Sequence, residues 1–286
     1  MLLQEFKKRF ITSLTPSYGN EEALQFFYLL SEAYLNFSRV DLSLNFKYSL
    51  EGKKLLQFES ALKRLQQQEP IQYIIGETYF YGNTFKVTPD TLIPRPETEE
   101  LVAWIITDFK NEAISILDIG TGSGCIAISL KDNLANAKVA AIDFSEKALA
   151  VAESNAVRIK APIKFIKQDI LTQNKLVGDF TIIVSNPPYV RDLEKAEMST
   201  NVLDFEPASA LFVSDTNPLI FYRKIAELIV SSYPKTETPR YLYFEINEYL
   251  ATETTQMLKH LGFIAIEIRN DFRGKPRMMK GVWKNQ

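Results

Sequence analysis

The stretch Asp118-Ile119-Gly120-Thr121-Gly122-Ser123-Gly124 decides the fold of this chain. It follows the apolar run 114–119, which is typical of a buried parallel strand, and it precedes an amphipathic segment at 125–130. Strand, glycine loop and helix in this order predict a ligand site, because glycines let the backbone approach a ligand and a helix N-terminus favours negative charge. Cys125 stands where a dinucleotide fingerprint requires its third glycine, which disfavours a nicotinamide oxidoreductase, and no Gly-Lys-Ser/Thr follows, which excludes a phosphate-binding P-loop.

The next predicted strand, residues 138–143, ends in an acidic residue. Asp143 lies about 20 residues beyond the glycines, where a carboxylate can hold both hydroxyls of a ribose. We therefore predict a ribose-containing ligand that contacts the glycine loop and Asp143.

The stretch Asn186-Pro187-Pro188-Tyr189 follows another buried-strand pattern at 180–184. Prolines have no backbone N–H, so this stiff loop offers mainly acceptors, the Asn186 side-chain oxygen and the Pro187 carbonyl. Acceptors beside an aromatic wall from Tyr189 suit a planar substrate with an NH2 group, either an amide or an exocyclic base amine. The alternative is a proline-rich turn without function. The glycine loop, Asp143 and Asn186-Pro187-Pro188-Tyr189 in this order make that interpretation the weaker one.

Residues 1–70 are predicted to be helical. Phe6, Phe10 and Leu14 recur at spacing four. A helical period is also kept by the later apolar residues Leu24, Phe27, Tyr28, Leu35, Leu55, Leu56, Leu62 and Leu65. Residues 1–80 carry nine Lys/Arg and nine Asp/Glu, so this module suits protein contact better than phosphate contact. It is equally well explained as an intramolecular lid.

The rest of the chain predicts an α/β fold. Residues 78–81 and 84–87, separated by Gly82-Asn83, are typical of a β-hairpin. From Glu97 onward helices alternate with strands, which indicates a doubly wound sheet. The predicted strands are 114–119, 138–143, 163–167, 180–184, 240–246, 262–269 and 277–283. The predicted domains are a helical domain at 1–70, a hairpin linker at 71–95 and an α/β domain at 96–286.

The chain resembles the HemK/PrmC family of class I S-adenosylmethionine-dependent methyltransferases over nearly its whole length. The family marks are the glycine loop, Asn186-Pro187-Pro188-Tyr189, Gln72-Tyr73-Ile74-Ile75-Gly76, Leu92-Ile93-Pro94-Arg95-Pro96-Glu97-Thr98-Glu99, Phe205-Glu206-Pro207 with Ala210-Leu211, and Asp271-Phe272-Arg273-Gly274. Two positions depart from the family: Gln72 stands where a proline is common, and Ile170 stands where an aromatic residue is common.

The resemblance implies a seven-stranded Rossmann-like sheet with an antiparallel final pair. The charge-balanced helical domain is predicted to recognise the protein substrate. It implies methylation of the side-chain amide nitrogen (N5) of the glutamine in the Gly-Gly-Gln (GGQ) loop of class I peptide chain release factors, in support of translation termination. The cofactor is then S-adenosylmethionine and the product S-adenosylhomocysteine. We expect a cytoplasmic monomer with no stable nucleic-acid partner and no membrane contact.

The resemblance also assigns site residues. The cofactor-binding residues are Gly120, Thr121, Gly122, Ser123, Gly124, Asp143, Asp169, Ile170 and Asn186. The catalytic and substrate-binding residues are Asn186, Pro187, Pro188 and Tyr189. No metal is expected, because the sequence has one histidine, His260, and no Cys/His cluster with metal spacing.

Composition narrows the functional classes further. The chain has 286 residues, a net charge of −2 and no apolar run of membrane-spanning length, so a general affinity for nucleic acid or a membrane span is not predicted. Cys125 is expected to be a small buried residue rather than a reactive thiol. The main alternative function is an adenine-N6 methyltransferase acting on DNA or RNA, and a non-catalytic cofactor-bound scaffold is the alternative from another class.

Several charged residues have open roles. Arg95 lies in a segment that either starts a helix at Pro96 or closes over the cofactor. Glu206 and Glu245 are interpreted as structural carboxylates rather than site-lining ones. The tail from Glu267 has six Lys/Arg against two acids, which predicts a solvated edge strand or a patch for a ribosomal factor or RNA-like partner.

Overall fold

The computed structural model describes residues 1–45 and 47–285. Phe46 and Gln286, which fall in the predicted domains 1–70 and 96–286, lie outside the described residues. The chain forms two compact units. We call Met1–Gly76 with Ser199–Phe205 the helical unit, and Glu77–Met198 with the chain from Glu206 onward the α/β unit.

The described residues of the helical unit form five helices. They are α1 (Leu3–Leu35), α2 (Arg39–Leu44), α3 (Gly52–Gln66), α4 (Ile71–Ile75) and, later in the chain, α8 (Thr200–Phe205). Helix α1 is interrupted at Gly19, whose φ of +76° is outside the helical region. Among the described helices none is both long and apolar enough to cross a membrane.

The core of the helical unit is aromatic. Phe6, Phe10 and Leu14 are buried, as their spacing predicts, and the rings of Phe6 and Phe58 pack edge to face at 5.5 Å. Leu56 is 70% exposed, so its inclusion in the predicted apolar period is wrong.

The α/β unit contains five helices and eleven strands in the described part of the chain. The helices are α5 (Pro96–Asp108), α6 (Cys125–Asn133), α7 (Glu146–Ile159), α9 (Ile220–Ser232) and α10 (Ala251–His260). The strands are β1 (Glu77–Phe80), β2 (Asn83–Lys86), β3 (Ser115–Ile119), β4 (Lys138–Asp143), β5 (Ile163–Lys167), β6 (Ile182–Ser185), β7 (Val190–Arg191), β8 (Phe212–Val213), β9 (Arg240–Glu245), β10 (Ile264–Asn270) and β11 (Pro276–Trp283).

Seven of these strands form one sheet in the order β10-β11-β9-β6-β3-β4-β5. Strands β3, β4, β5, β6 and β9 are parallel, whereas β11 is antiparallel to both β9 and β10. The predicted doubly wound sheet with an antiparallel final pair is therefore confirmed. Helices cover both faces: α5 and α6 pack on one side and α9 and α10 on the other.

The register of the central strands determines which loops meet. Ile119, the last residue of β3, pairs with Ile142 in β4 and with Ser185 in β6. The segments that begin at Gly120, Asp143 and Asn186 therefore leave the same edge of the sheet, where open α/β sheets bind ligands.

The β-hairpin differs from its prediction in one detail. β1 and β2 are antiparallel with Phe80 paired to Asn83, so the turn is Tyr81-Gly82 rather than Gly82-Asn83. Both turn residues have positive φ, +45° and +84°, as a tight two-residue turn requires, and Gly82 adopts this conformation without strain.

The predicted linker 71–95 does not behave as one segment. Its residues up to Gly76 belong to the helical unit, while the hairpin is tied to the α/β unit. The buried Asn155 of α7 accepts from Lys86 N at 2.7 Å, and its Nδ2 donates to the carbonyls of Lys86 and Ser123 at 3.0 and 2.9 Å. One side chain thus joins β2 to the glycine loop.

Gly124→Ala is expected to destabilise the protein by about 3 kcal/mol. A Cβ there would lie 2.9 Å from Ile128 Cδ1 and 3.1 Å from Ala152 Cβ, and φ is +82°. Gly122→Ala is the matched control, because it shares the left-handed backbone (φ +56°) but meets no described atom within 4 Å. Its cost should be about 1–2 kcal/mol. Urea denaturation followed by circular dichroism measures both, and equal losses would show that packing beneath the loop is unimportant.

Candidate active site

A cavity of about 560 Å³ lies at this sheet edge, entirely within the α/β unit. Its size is typical of a small-molecule site. The predicted residues that line it are Gly120, Thr121, Gly122, Ser123, Asp143, Asp169, Ile170, Asn186, Pro187 and Pro188. Gly124 and Tyr189 are outside the set of described residues that form its wall.

Hydrogen bonds fix the glycine loop to the neighbouring strand, and two of its glycines face open space. The backbone N–H groups of Gly120 and Thr121 donate to the Ile142 carbonyl at 2.9 and 3.1 Å, which fixes the loop to β4. Gly120 and Gly122 have φ of +74° and +56°, and a Cβ at either would enter open space. The two glycines therefore leave room for a ligand, while Gly124 has a different role, close packing against α6 and α7.

Asp143 is only 8% exposed and is held at both carboxylate oxygens. Oδ2 accepts from Gly122 N and Oδ1 from Ser145 N, each at 2.9 Å. Burial raises the pKa of this carboxyl, and the two backbone hydrogen bonds oppose that shift. Each oxygen has a further lone pair, so the carboxylate is suited to accept from two neighbouring hydroxyls, as on a ribose.

The wall between β4 and β5 is largely apolar. Asp169 Oδ1 accepts from Leu171 N at 2.9 Å and starts a short 3-10 turn that places Ile170 against the cavity. Phe144, which the sequence analysis did not single out, also lines the cavity and is 54% exposed. The sequence feature that could have identified Phe144 is an aromatic residue directly after the strand-end acid Asp143.

The orientation of the Asn186 amide follows from its neighbours. Its Nδ2 donates to Thr98 Oγ1 at 3.4 Å, and that hydroxyl donates to Glu245 Oε2 at 2.6 Å. The NH2 end of this amide therefore faces Thr98, and Asn186 itself lines the cavity. Thr98 also lines the cavity, and the sequence analysis did not identify it as a site residue.

Tyr189 is not among the described residues that line the cavity, and its role as an aromatic wall stays a prediction. Its hydroxyl donates to Glu245 Oε1 at 2.9 Å, and its carbonyl accepts from Asn247 Nδ2 at 3.0 Å. Tyrosines inside a protein usually pair their hydroxyls, and Glu245 supplies the acceptor for this one. Tyr189 thereby anchors the loop that carries Asn186.

The segment 92–96 combines both roles considered for it. Pro96 occupies the first turn of α5 with Glu97 and Glu99, as a helix start requires. Leu92, Pro94 and Arg95 also line the cavity. The segment is held there by the buried carboxylate of Glu206, which accepts from Ile93 N at 3.1 Å and forms an ion pair with Arg95.

The basic residues after Glu267 are mostly neutralised within the protein. The ion pairs are Arg269–Glu267, Arg273–Glu97, Lys275–Glu248, Arg277–Asp271 and Lys280 with Asp108 and Glu267. This segment forms strands next to β9 and at the sheet edge, so the structure supports the edge-strand interpretation over an RNA-binding patch. His260 is exposed at the end of α10.

Two buried groups beneath the glycine loop are strongly desolvated. Burial raises the pKa of the Cys125 thiol to about 12, so this residue is not a reactive thiolate at neutral pH. Burial likewise raises the pKa of the Asp118 carboxyl to about 7, against the hydrogen bond that its Oδ2 accepts from Thr121 at 2.7 Å. Asp118 Oδ1 has no hydrogen-bond partner among the described residues.

Known proteins resemble this chain along almost its full length. The family model "PrmC N-terminal domain" matches residues 5–76, and "Methyltransferase small domain" matches residues 100–213. The release factor glutamine methyltransferase of Flavobacterium psychrophilum is 49% identical, over 98% of this chain and 99% of that protein. The same-named protein of Bacteroides thetaiotaomicron is 43% identical, over 93% and 95%.

Solved structures agree on the fold. The hMettl16 catalytic domain, solved in complex with the MAT2A 3'UTR hairpin 1, has a TM-score of 0.56 and 15% identity, over 91% of this chain and 90% of that one. At this identity the likeness concerns the fold alone.

Asp118→Asn is expected to make the protein more stable than wild type at high pH only. The folded pKa of about 7 lies above the usual 3.8, so the wild-type free energy of unfolding falls as the pH rises between these values. Above pH 7 the variant should gain up to about 4 kcal/mol, and near pH 4 the two proteins should be similar. Urea denaturation from pH 4 to 8 measures this difference, and a difference that is constant with pH would contradict the raised pKa.

Proposed function

The chain belongs to the release factor glutamine methyltransferase family, and we propose that it methylates the side-chain amide nitrogen (N5) of the glutamine in the GGQ loop of class I release factors. The observation that supports this most directly is the Asn186 amide. Its NH2 group is engaged by Thr98, so its oxygen is left as an acceptor in the same cavity as the glycine loop and Asp143.

The cavity suits S-adenosylmethionine, on which enzymes of this family depend. Gly120 and Gly122 leave space for the cofactor beside the backbone, and Asp143 is positioned to accept from its ribose hydroxyls. Ile170 and Phe144 offer apolar surface for its adenine. When bound, the cofactor supplies an electrophilic methyl group on a positively charged sulfur, and the proposed product is S-adenosylhomocysteine.

Asn186 and Pro187 are proposed to activate the substrate amide by positioning it. An amide nitrogen is a poor nucleophile because its lone pair is delocalised into the carbonyl. Two acceptors, the Asn186 oxygen and the Pro187 carbonyl, would hold the NH2 protons and orient the nitrogen. Both interactions strengthen as positive charge develops on nitrogen, so they stabilise the transition state more than the ground state.

Methylation of adenine in nucleic acid is the weaker candidate. The same acceptors would suit an exocyclic amine, but nucleic-acid binding is dominated by cationic contacts to phosphates. Residues 1–80 carry equal numbers of acidic and basic residues, and the basic residues after Glu267 are mostly ion-paired.

The helical unit is our candidate for recognition of the protein substrate. A pocket that binds only one planar NH2 group cannot distinguish one surface glutamine from another. Contacts away from the pocket must therefore supply the discrimination between substrates. The helical unit offers a neutral surface for them. We further propose that the enzyme acts as a monomer in the cytoplasm, where release factors function.

The function is tested by incubating the protein with S-adenosylmethionine and either a purified class I release factor, a free peptide with the same glutamine, or duplex DNA. Peptide mass spectrometry of the factor should show a gain of one methyl group on the GGQ glutamine. The intact factor should react faster than the peptide by at least about 100-fold, because remote contacts position the loop. Methylation of the DNA alone would overturn the proposal in favour of the adenine-N6 reaction.

Asp143→Ala and Asn186→Ala should separate cofactor binding from chemistry. Loss of the Asp143 carboxylate is expected to weaken S-adenosylmethionine binding by about 1–3 kcal/mol, measured by calorimetry. Loss of the Asn186 oxygen should lower the single-turnover rate by about 2–4 kcal/mol of transition-state stabilisation, with cofactor affinity nearly unchanged. Unchanged affinity in the first variant, or a rate within twofold of wild type in the second, would refute the assigned role.

A further inference from the structure

We propose that Thr98 and Glu245 are positioning residues, which fix the Asn186 amide with its oxygen toward the substrate. This inference rests on the proposed function, because it concerns the same amide, and it deepens it by naming two residues that act through Asn186. Neither residue belongs to the loop at 186–189: Thr98 lies in the first turn of α5, and Glu245 is the last residue of β9.

The three side chains form one chain of hydrogen bonds, in which Thr98 and Glu245 are buried and Asn186 is half-buried. Asn186 Nδ2 lies 3.4 Å from Thr98 Oγ1, and Thr98 Oγ1 lies 2.6 Å from Glu245 Oε2. The other carboxylate oxygen, Oε1, accepts from the Tyr189 hydroxyl at 2.9 Å. Thr98 is 2% exposed and Glu245 is 1% exposed, so the hydrogen bond between these two side chains is shielded from water.

The direction of each hydrogen bond follows from the carboxylate. An ionised Glu245 can only accept, so both Tyr189 and Thr98 must donate their single hydroxyl protons to it. With its proton committed, Thr98 Oγ1 can only accept from Asn186. The Asn186 NH2 group must therefore face Thr98, and its carbonyl oxygen faces the opposite way. An asparagine amide is nearly symmetric in shape, so packing alone does not select this orientation.

The two hydroxyl donors and Arg277 favour the ionised, acceptor form of Glu245, although burial leaves the pKa of this carboxyl above its usual value. Burial raises the pKa of Glu245, while the hydrogen bonds from Thr98 and Tyr189 and the positive charge of Arg277 lower it. Arg277 is itself held by Asp271, whose Oδ2 accepts from Arg277 Nε at 3.2 Å. A guanidinium has no acceptor, so Arg277 offers the Tyr189 hydroxyl no alternative place for its proton.

Glu245→Gln should reverse the chain of hydrogen bonds. Tyr189 needs an acceptor for its proton, so the introduced amide presents its oxygen to Tyr189 and its NH2 group to Thr98. Thr98 then donates to Asn186, which turns its oxygen inward and its NH2 group toward the substrate. The change is nearly isosteric, yet it replaces the acceptor in the cavity by a donor.

The first experiment compares single-turnover methylation of a release factor by Thr98→Val, Thr98→Ser and Glu245→Gln. We expect Thr98→Val and Glu245→Gln to be slowed about 10- to 100-fold, with S-adenosylmethionine affinity within about threefold of wild type. Thr98→Ser retains the hydroxyl and should stay within about threefold in rate. Asp108→Asn is the matched control, because Asp108 also accepts from a buried tyrosine, Tyr243, at 2.6 Å but lies outside the described cavity wall.

A double-mutant cycle separates orientation from simple damage. In Asn186→Asp two carboxylates compete for the one proton of Thr98, so this variant should also be slow. In the combination with Glu245→Gln, Thr98 accepts from the introduced amide and donates to the introduced carboxylate, whose second oxygen remains for the substrate. With each rate expressed as a fraction of the wild-type rate, the double variant should exceed the product of the two single-variant values by at least about tenfold. Rates that simply multiply would overturn the proposal.

A readout without methyl transfer keeps this test distinct from that of the proposed function. The urea midpoint of Asn186→Asp should fall well below wild type and recover when Glu245→Gln is added, because the proton conflict is removed. If wild type fails to methylate the release factor but the urea midpoints recover, the proposed function fails and the chain of hydrogen bonds is supported. If the midpoints show no recovery, the proposed positioning by Thr98 and Glu245 is refuted whatever the substrate.

Discussion

The parallel register of β3 with β4 and β6 is the constraint on which the site depends. It ends three strands at one edge, so that the glycine loop, Asp143 and Asn186 share one cavity although 66 residues separate Gly120 from Asn186. Backbone hydrogen bonds from Gly120 and Thr121 to the Ile142 carbonyl extend this register into the loop. A shift by one residue would turn each strand-end side chain to the other face of the sheet.

Three buried carboxylates near this edge show how environment decides the role of an acid. Asp143 keeps lone pairs available beside the cavity and is stabilised by two backbone N–H groups. Asp118 has one oxygen without a hydrogen-bond partner in the described part of the chain, and burial raises its pKa to about 7. Glu245 has two hydroxyl donors and a nearby guanidinium, so it serves as an acceptor that orders its neighbours. The same functional group thus suits ligand binding, pH-sensitive packing and orientation.

The loop at 186–189 shows why a binding motif extends beyond its own residues. Two prolines make the loop stiff, but they do not decide which end of the Asn186 amide faces the ligand. That choice comes from Thr98 and Glu245, which are 88 residues before and 59 residues after Asn186. Tyr189, the last residue of the motif, anchors the loop through its hydrogen bond to Glu245. Motif residues are therefore divided between contact with the ligand and support of that contact.

The sequence by itself determined the order of strands and helices, the glycine loop, the strand-end positions of Asp143 and Asn186, and the family. These features are encoded locally: burial periodicity identifies a strand, and positive φ favours glycine. The ribose-binding role of Asp143 and the recognition role of the helical unit stay predictions. Only the tertiary structure decided the hydrogen-bond partner of the Tyr189 hydroxyl, the ion pairing of the residues after Glu267 and the attachment of the hairpin through Asn155. Each depends on a partner far away in sequence, and a linear pattern carries no information on which buried donor will meet which acceptor.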